Sequence, residues 1–367
     1  MTRHVLLGSL LAAAIVVATG ALAQEAPAAK GQVVSVVVPG PSLVGNLLGT
    51  PTDRPVSVYL PPSYDQATGA TFPVVYLLHS LGGGDYSWLP RTLMERNIPA
   101  LADTLIAAGT IQPMILVMPD ASTRYGACFY ANSPVCGNWE DFITTDLVGY
   151  VDDHYRTVAG PQGRAVAGMD VGGTGALTLA MKHPDVFGAA YAMSPLNTAL
   201  VDPDKSALYS RDAFAMLAPD RALGVASPSY MSQAQLAMAA AASPNPEHEP
   251  YFVDLPYELV NGQLEQQSTV WDAWVAHTPM AMTESHRPQL LSLRALGIDA
   301  GTNDQSHDVV AETQAFHDAL TRAGIPHRFE VYPGDYFNMV EQRMGSVALP
   351  FLSDALEGGG EATIGTP

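Results

Sequence analysis

The sequence predicts an α/β protein built on a mostly parallel sheet with helices on both faces. Three observations carry that expectation. Short apolar runs recur at 73–79, 115–118, 164–168, 189–193, 295–300 and 327–332, and strands that are apolar on both sides are strands buried on both sides. Between them lie segments with helical spacing: in 138–155, Trp139, Ile143, Leu147 and Val151 fall on one face, with Phe142 and Val148 beside them. The third observation is the stretch 164–183. An apolar run leads into a turn containing Gly168, Gly172 and Gly173, and a helical run from about Thr174 stops before Pro184. Strand, glycine turn and helix in that order can project one side chain above a sheet, beside the positive end of a helix. The projecting residue is Asp170.

Taken in order, the chain opens with Arg3 and His4 before an apolar run at 5–20, and Ala21-Leu22-Ala23 forms an A-x-A site before Gln24. That predicts a cleaved export signal over 1–23, leaving no membrane anchor, and a flexible leader over 24–31. The folded domain is expected over 32–356, with a disordered glycine-rich tail at 357–367. The β-branched runs 33–38 and 56–60 are separated by Gly/Pro/Asn-rich turns and predict an antiparallel start to the sheet. Residues 93–108 read as helix with a break at Pro99. From 197 to 287 the pattern loosens. A helix is expected at 231–242, and Tyr251, Phe252, Tyr257, Trp271 and Trp274 bring aromatics. This reads as an excursion over the C-terminal edge of the sheet, where open α/β sheets bind ligands; its aromatics would line that surface or simply pack. Helices at 309–323 and 338–356 flank the last strand.

Composition narrows the function. With 17 Lys+Arg against 36 Asp+Glu, a net charge of −19 disfavours nucleic acid and anionic lipid as partners. The two cysteines, Cys128 and Cys136, predict a loop disulfide in an exported protein, worth about 2.5 kcal/mol. No metal site and no cofactor are expected.

The blocks VSVYLPPSY, PVVYLLHSLGGG, SPVCGNWEDFITTDLVGYVDDHYRT, GMDVGGTGALTLAMKHPDVFGAAYAMSP, GTNDQ and YPGDYFNMV together resemble the putative-esterase family of α/β hydrolases. That family includes esterase D (S-formylglutathione hydrolase), bacterial feruloyl esterases and mycolyltransferase antigens. The likeness covers roughly 33–356. It implies an α/β-hydrolase fold and acyl transfer: a serine attacks the ester, a histidine takes its proton, an aspartate orients the histidine, and two backbone N–H groups hold the oxyanion. Matched position by position, Asp304 falls on the acid, and Leu81 and Val171 fall on the oxyanion donors. Three positions depart. Asp170 stands where the family has its serine, Tyr336 where it has its histidine, and Ser80 where it has a glycine after His79.

These departures change the expected chemistry. A carboxylate attacking an ester gives an anhydride, from which the alkoxide returns faster than it leaves. Displacement at saturated carbon by an elbow aspartate needs a histidine for the second step, and Tyr336 occupies that position. Ordinary ester hydrolysis is therefore not expected. A pseudoenzyme or ligand-binding role, or an altered reaction, is expected instead, with a small ester-like, cationic or hydroxyl-bearing molecule as partner. Two alternatives keep catalysis. One is a hydrolase or acyltransferase whose base comes from His79 or His307. The other is a lyase or isomerase with Asp170 as base and Tyr336 as acid. Asp170 at a helix N-terminus is expected to be held ionised, with a lowered pKa.

Overall fold

The computed structural model describes residues 29–90, 96–200, 206, 208–215, 230–304 and 308–358. The expected export signal, His307 and most of the expected tail lie outside the described residues.

Eight strands form one sheet: β1 (Gln32–Val38), β2 (Arg54–Leu60), β3 (Val74–Leu78), β4 (Ile115–Pro119), β5 (Arg164–Met169), β6 (Ala189–Met193), β7 (Ala295–Gly301) and β8 (Arg328–Tyr332). Their order across the sheet is β1-β2-β4-β3-β5-β6-β7-β8. β2 runs antiparallel to both neighbours, β1 and β4, and every other pairing is parallel. The expected antiparallel opening and parallel body are both present.

Alternation along the strands explains why their sequences read as unbroken apolar runs. In β3, Val74, Tyr76 and Leu78 enter one core while Val75 and Leu77 enter the other. The first core receives Phe142, Ile143, Leu147 and Val151 from the helical run 139–154, together with Ala176, Leu177, Leu179 and Ala180. The second receives Ile98 and Ala102, and from the end of the chain Val340, Met344, Leu349 and Leu352.

Three boundaries differ from the sequence reading. The helix expected over 93–108 is Ile98–Ala107, so Pro99 sits in its first turn rather than breaking it; there its missing N–H costs nothing. The run 139–154 contains a π-helical turn, Phe142–Leu147, which spacing alone does not reveal. The helix after Asp170 is Val171–Lys182, starting three residues before the expected Thr174. Gly172 and Gly173 therefore belong to its first turn. A Cβ on Gly172 would lie 2.2 Å from the Leu78 carbonyl oxygen and 2.5 Å from that of His79. The glycines let this helix press against the end of β3, which a larger residue would prevent.

In the excursion, Trp274 is fully buried and meets Tyr209 at 5.4 Å and Phe214 at 5.9 Å between ring centroids, with Phe214 also on Tyr257. These aromatics pack against one another. Among the hydrogen bonds that tie the excursion to the rest of the chain, Ser133 Oγ donates to the Ala240 carbonyl at 2.6 Å, the Tyr125 hydroxyl donates to the Tyr251 carbonyl at 2.9 Å, and Arg287 donates to the Ala323 carbonyl at 2.7 Å. No described helix is long and apolar enough to cross a membrane.

Candidate active site

The site is assembled from the C-terminal ends of β3, β5, β6 and β7, with the start of the helix that follows β8. Asp170 ends β5 with φ 57° and ψ −126°, a conformation that non-glycine residues rarely adopt. Four backbone hydrogen bonds fix it. Its N–H donates to the Met193 carbonyl at the end of β6, and its own carbonyl accepts from Gly173, Thr174 and Leu196. The side chain is only 4% exposed.

The carboxylate does not cap its own helix. It accepts the N–H of Leu81 at 2.9 Å, and the N–H of Val171 bonds to it as well. Both donors assigned to the oxyanion therefore interact with the elbow residue's own carboxylate.

The loop carrying Leu81 is held by His79. Its Nε2 accepts the N–H of Ala121 at 2.9 Å, which places the ring proton on Nδ1, where it donates to the Ser80 carbonyl at 2.8 Å. Burial lowers its pKa, so the ring is neutral. The His79 carbonyl in turn accepts the Tyr130 hydroxyl at 3.0 Å. Tyr130 belongs to the loop closed by the Cys128–Cys136 disulfide. The pairing of the two cysteines is as expected from sequence, while the anchoring role of Tyr130 had no sequence signal beyond its place in that loop. Ser80, partly exposed, accepts the N–H of Gly83 with its carbonyl.

Asp304, almost fully buried, receives the N–H of Gly301 at 2.9 Å and the backbone N–H of Tyr336 at 2.8 Å. Ser194 adds a side-chain hydrogen bond to the same carboxylate. Sequence reasoning passed over Ser194, which ends β6 with φ 42° and ties that strand to the β7 loop. Tyr336 is the first residue of the helix Tyr336–Arg343, and its ring packs in the second core. Arg96, also missed, is buried beside it. One guanidinium nitrogen lies 3.4 Å from Met169 Sδ and another donates to the Phe337 carbonyl at 2.7 Å.

Electrostatics correct one expectation. Asp170 is not held down by the helix N-terminus. Burial raises its pKa from 3.8 to about 6, the N–H groups of Leu81 and Val171 offset this only in part, and the charge of Asp304 pushes it further up. Desolvation exceeds the helix-end field because that field is worth roughly 1 kcal/mol, whereas removing water from a carboxylate costs several. Among the described residues, no histidine is among the groups that set its protonation. Burial also raises Asp304.

Comparison with known proteins gives the family and the fold. Residues 49–338 match the family described as Putative esterase. The chain belongs to that family. Esterase Rv1288 of Mycobacterium tuberculosis is 38% identical over 144 residues, covering 38% of this chain and 28% of the relative. The endo-1,4-beta-xylanase/feruloyl esterase of Xylanibacter ruminicola is 28% identical over 135 residues, covering 36% of this chain and 18% of the relative. The matched segments thus span less than a third of either relative. Among solved structures, a ferulic acid esterase superposes with TM-score 0.61 at 22% identity, over 89% of this chain and 99% of its own. An S-formylglutathione hydrolase from Agrobacterium tumefaciens superposes with TM-score 0.57 at 16% identity, over 90% and 97%. At such identities the superpositions establish the α/β-hydrolase fold and nothing finer.

Proposed function

We propose that this chain is an exported, ligand-binding member of the Putative esterase family that has lost serine-type ester hydrolysis. One observation carries the reading: the Asp170 carboxylate accepts the Leu81 N–H at 2.9 Å and shares the Val171 N–H. Hydrolysis in this fold needs those donors open to charge developing on the substrate oxygen. Here they already hold a carboxylate. A second negative oxygen about 4 Å away at an effective dielectric of about 20 meets roughly 4 kcal/mol of repulsion, a factor of about a thousand in rate. Tyr336 in place of the expected histidine compounds the loss, and among the described residues no other histidine stands in for it; His307 lies outside them. His79 spends both ring nitrogens on backbone, so it supports no role as a displaced base.

The ligand class follows from the same charge. Asp170 and Asp304 together favour a neutral or cationic small molecule that offers a hydroxyl or N–H, and disfavour a free acid. A feruloyl esterase module from Clostridium thermocellum (TM-score 0.51, 15% identity, covering 90% of this chain and 91% of its own) was solved with sinapinate. That precedent points to an aromatic acyl group, and the two carboxylates of this chain favour its esters or alcohols over the free acid. Export is supported by the A-x-A leader and by the disulfide, which persists in oxidising compartments.

A second reading is favoured by the position of the Asp170 pKa. A buried carboxyl titrating at about 6 is suited to general-base work near neutrality, as a lyase or isomerase would need.

The test is hydrolysis of p-nitrophenyl acetate and of an aromatic methyl ester. Wild type is expected to show no turnover above background, and Asp170→Ser combined with Tyr336→His to gain measurable turnover. Hydrolysis by wild type at ordinary enzyme rates, abolished in Asp170→Asn, would sink the proposal.

A further inference from the structure

Away from the elbow, two imidazoles meet between a helix and the strand that follows it. His317 lies on the helix Asp308–Arg322, and His327 immediately precedes β8. His317 Nδ1 and His327 Nε2 are 2.7 Å apart. The far nitrogen of His327, Nδ1, is 2.8 Å from the Ile325 carbonyl. A carbonyl only accepts, so His327 carries its proton on Nδ1 and presents a lone pair at Nε2. The His317 ring is stacked on Phe329 at 4.4 Å and 16°. The two rings cross at 64°, and the two nitrogens face each other directly.

Each ring is therefore oriented by something other than the pair itself. The backbone beneath them is also fixed: Ile325 and Phe316 are buried, and the Ile325 N–H donates to the Leu320 carbonyl at 3.0 Å. An imidazole whose outer N–H is held by a backbone carbonyl is the usual support of a metal-ligating histidine. Two metal–nitrogen bonds of about 2.0–2.1 Å at tetrahedral or square angles bring the two nitrogens to about 2.9–3.3 Å. The observed separation is a few tenths of an ångström from that range.

We propose that His317 and His327 form a two-imidazole binding site for a borderline divalent transition cation of the Cu²⁺, Ni²⁺ or Zn²⁺ type. The protein supplies two nitrogen ligands and water supplies the rest, since among the described residues no cluster of three or more His, Cys, Asp or Glu side chains is arranged to hold a metal. All-nitrogen donors exclude Ca²⁺ and Mg²⁺, which require oxygen. The proton balance is simple. His317 gives up its Nδ1 proton and takes one at Nε2 through solvent, so both rings remain neutral and no net proton is released. The chain's charge of −19 raises the local concentration of cations. Bound metal would clamp the helix to β8 at the edge of the sheet.

The experiment uses the tag-free protein and Cu²⁺ as probe. Wild type is expected to bind one Cu²⁺ with an electron paramagnetic resonance spectrum showing two imidazole nitrogens, in the Cu²⁺ > Ni²⁺ order of nitrogen sites. His317→Gln and His327→Gln should each weaken that binding by about tenfold or more, through loss of chelation, and leave one nitrogen at most. His154→Gln should leave it unchanged. Circular dichroism melts in chelator confirm that the variants fold. Independently of any variant, substoichiometric Cu²⁺ should broaden the ring resonances of His317 and His327 before those of other histidines. Persistence of the two-nitrogen spectrum in either variant would overturn the proposal. So would first broadening elsewhere, or wild-type affinity no tighter than that of the variants; the pair would then be a plain imidazole–imidazole hydrogen bond.

Discussion

Replacing Asp170 with asparagine isolates the energetic consequence of putting a carboxylate at the elbow. The amide keeps an oxygen for the Leu81 N–H but cannot ionise. In wild type the folded-state pKa is about 6 against an ordinary 3.8. At 1.36 kcal/mol per unit, the ionised folded state is disfavoured by about 3 kcal/mol. Near-complete burial means that little of this is screened. Because the folded pKa is raised, the unfolded chain releases its proton first. The contribution of Asp170 to stability is thus fully present below about pH 3.8 and is lost as pH rises through about 6. Subtracting wild type from Asp170→Asn should cancel titrating groups that do not sense Asp170, Asp299 among them, while Asp304, whose charge raises the Asp170 pKa, adds a smaller coupled part. The remaining difference should be flat below pH 4, climb by up to about 1.4 kcal/mol per pH unit between 4 and 6, and level off above, with the variant about 3 kcal/mol more stable. Paired urea unfolding of both proteins from pH 3.5 to 8 measures this directly. A pH-independent difference, or an asparagine variant less stable at pH 8, would refute it and show that the two N–H groups hold the anion more strongly than burial opposes it.

Two further outcomes follow from the packing. Arg343→Met strands the fully buried Asp299, which now receives the guanidinium at 2.8 Å, and should cost about 3–5 kcal/mol in urea unfolding; a loss below about 1 kcal/mol would show the ion pair to be dispensable. The double change Cys128→Ala with Cys136→Ala reopens an eight-residue separation and should cost about 2.5 kcal/mol. Amide exchange at Leu81 should also quicken, since the loop carries the Tyr130 anchor of His79; unchanged exchange would separate the disulfide from the site.

The sequence by itself determined the sheet and singled out Asp170 at the turn after β5. Strands buried on both faces, such as Val74–Leu78, are legible because a parallel sheet covered by helices leaves few positions for a polar residue. Glycines at 168, 172 and 173 marked the elbow because no other residue allows so close an approach of helix to strand. The Cys128–Cys136 bridge could likewise be read from the chain alone, and the match of Asp170 and Tyr336 to the family's serine and histidine is an expectation that the sequence carries.

What neighbours from distant parts of the chain do to a group was decided only in three dimensions. The carboxylate at 170 meets the N–H of Leu81 from 89 positions away, and its protonation follows from burial, which no local pattern encodes. His79 could be a base in sequence, yet Ala121 and Ser80 take both its nitrogens once the loop folds. Ser194, Arg96 and the His317–His327 contact were invisible for the same reason. Hydrophobic periodicity reports which face of an element is covered, whereas the charge and hydrogen bonding of a site depend on which elements the fold brings to one sheet edge.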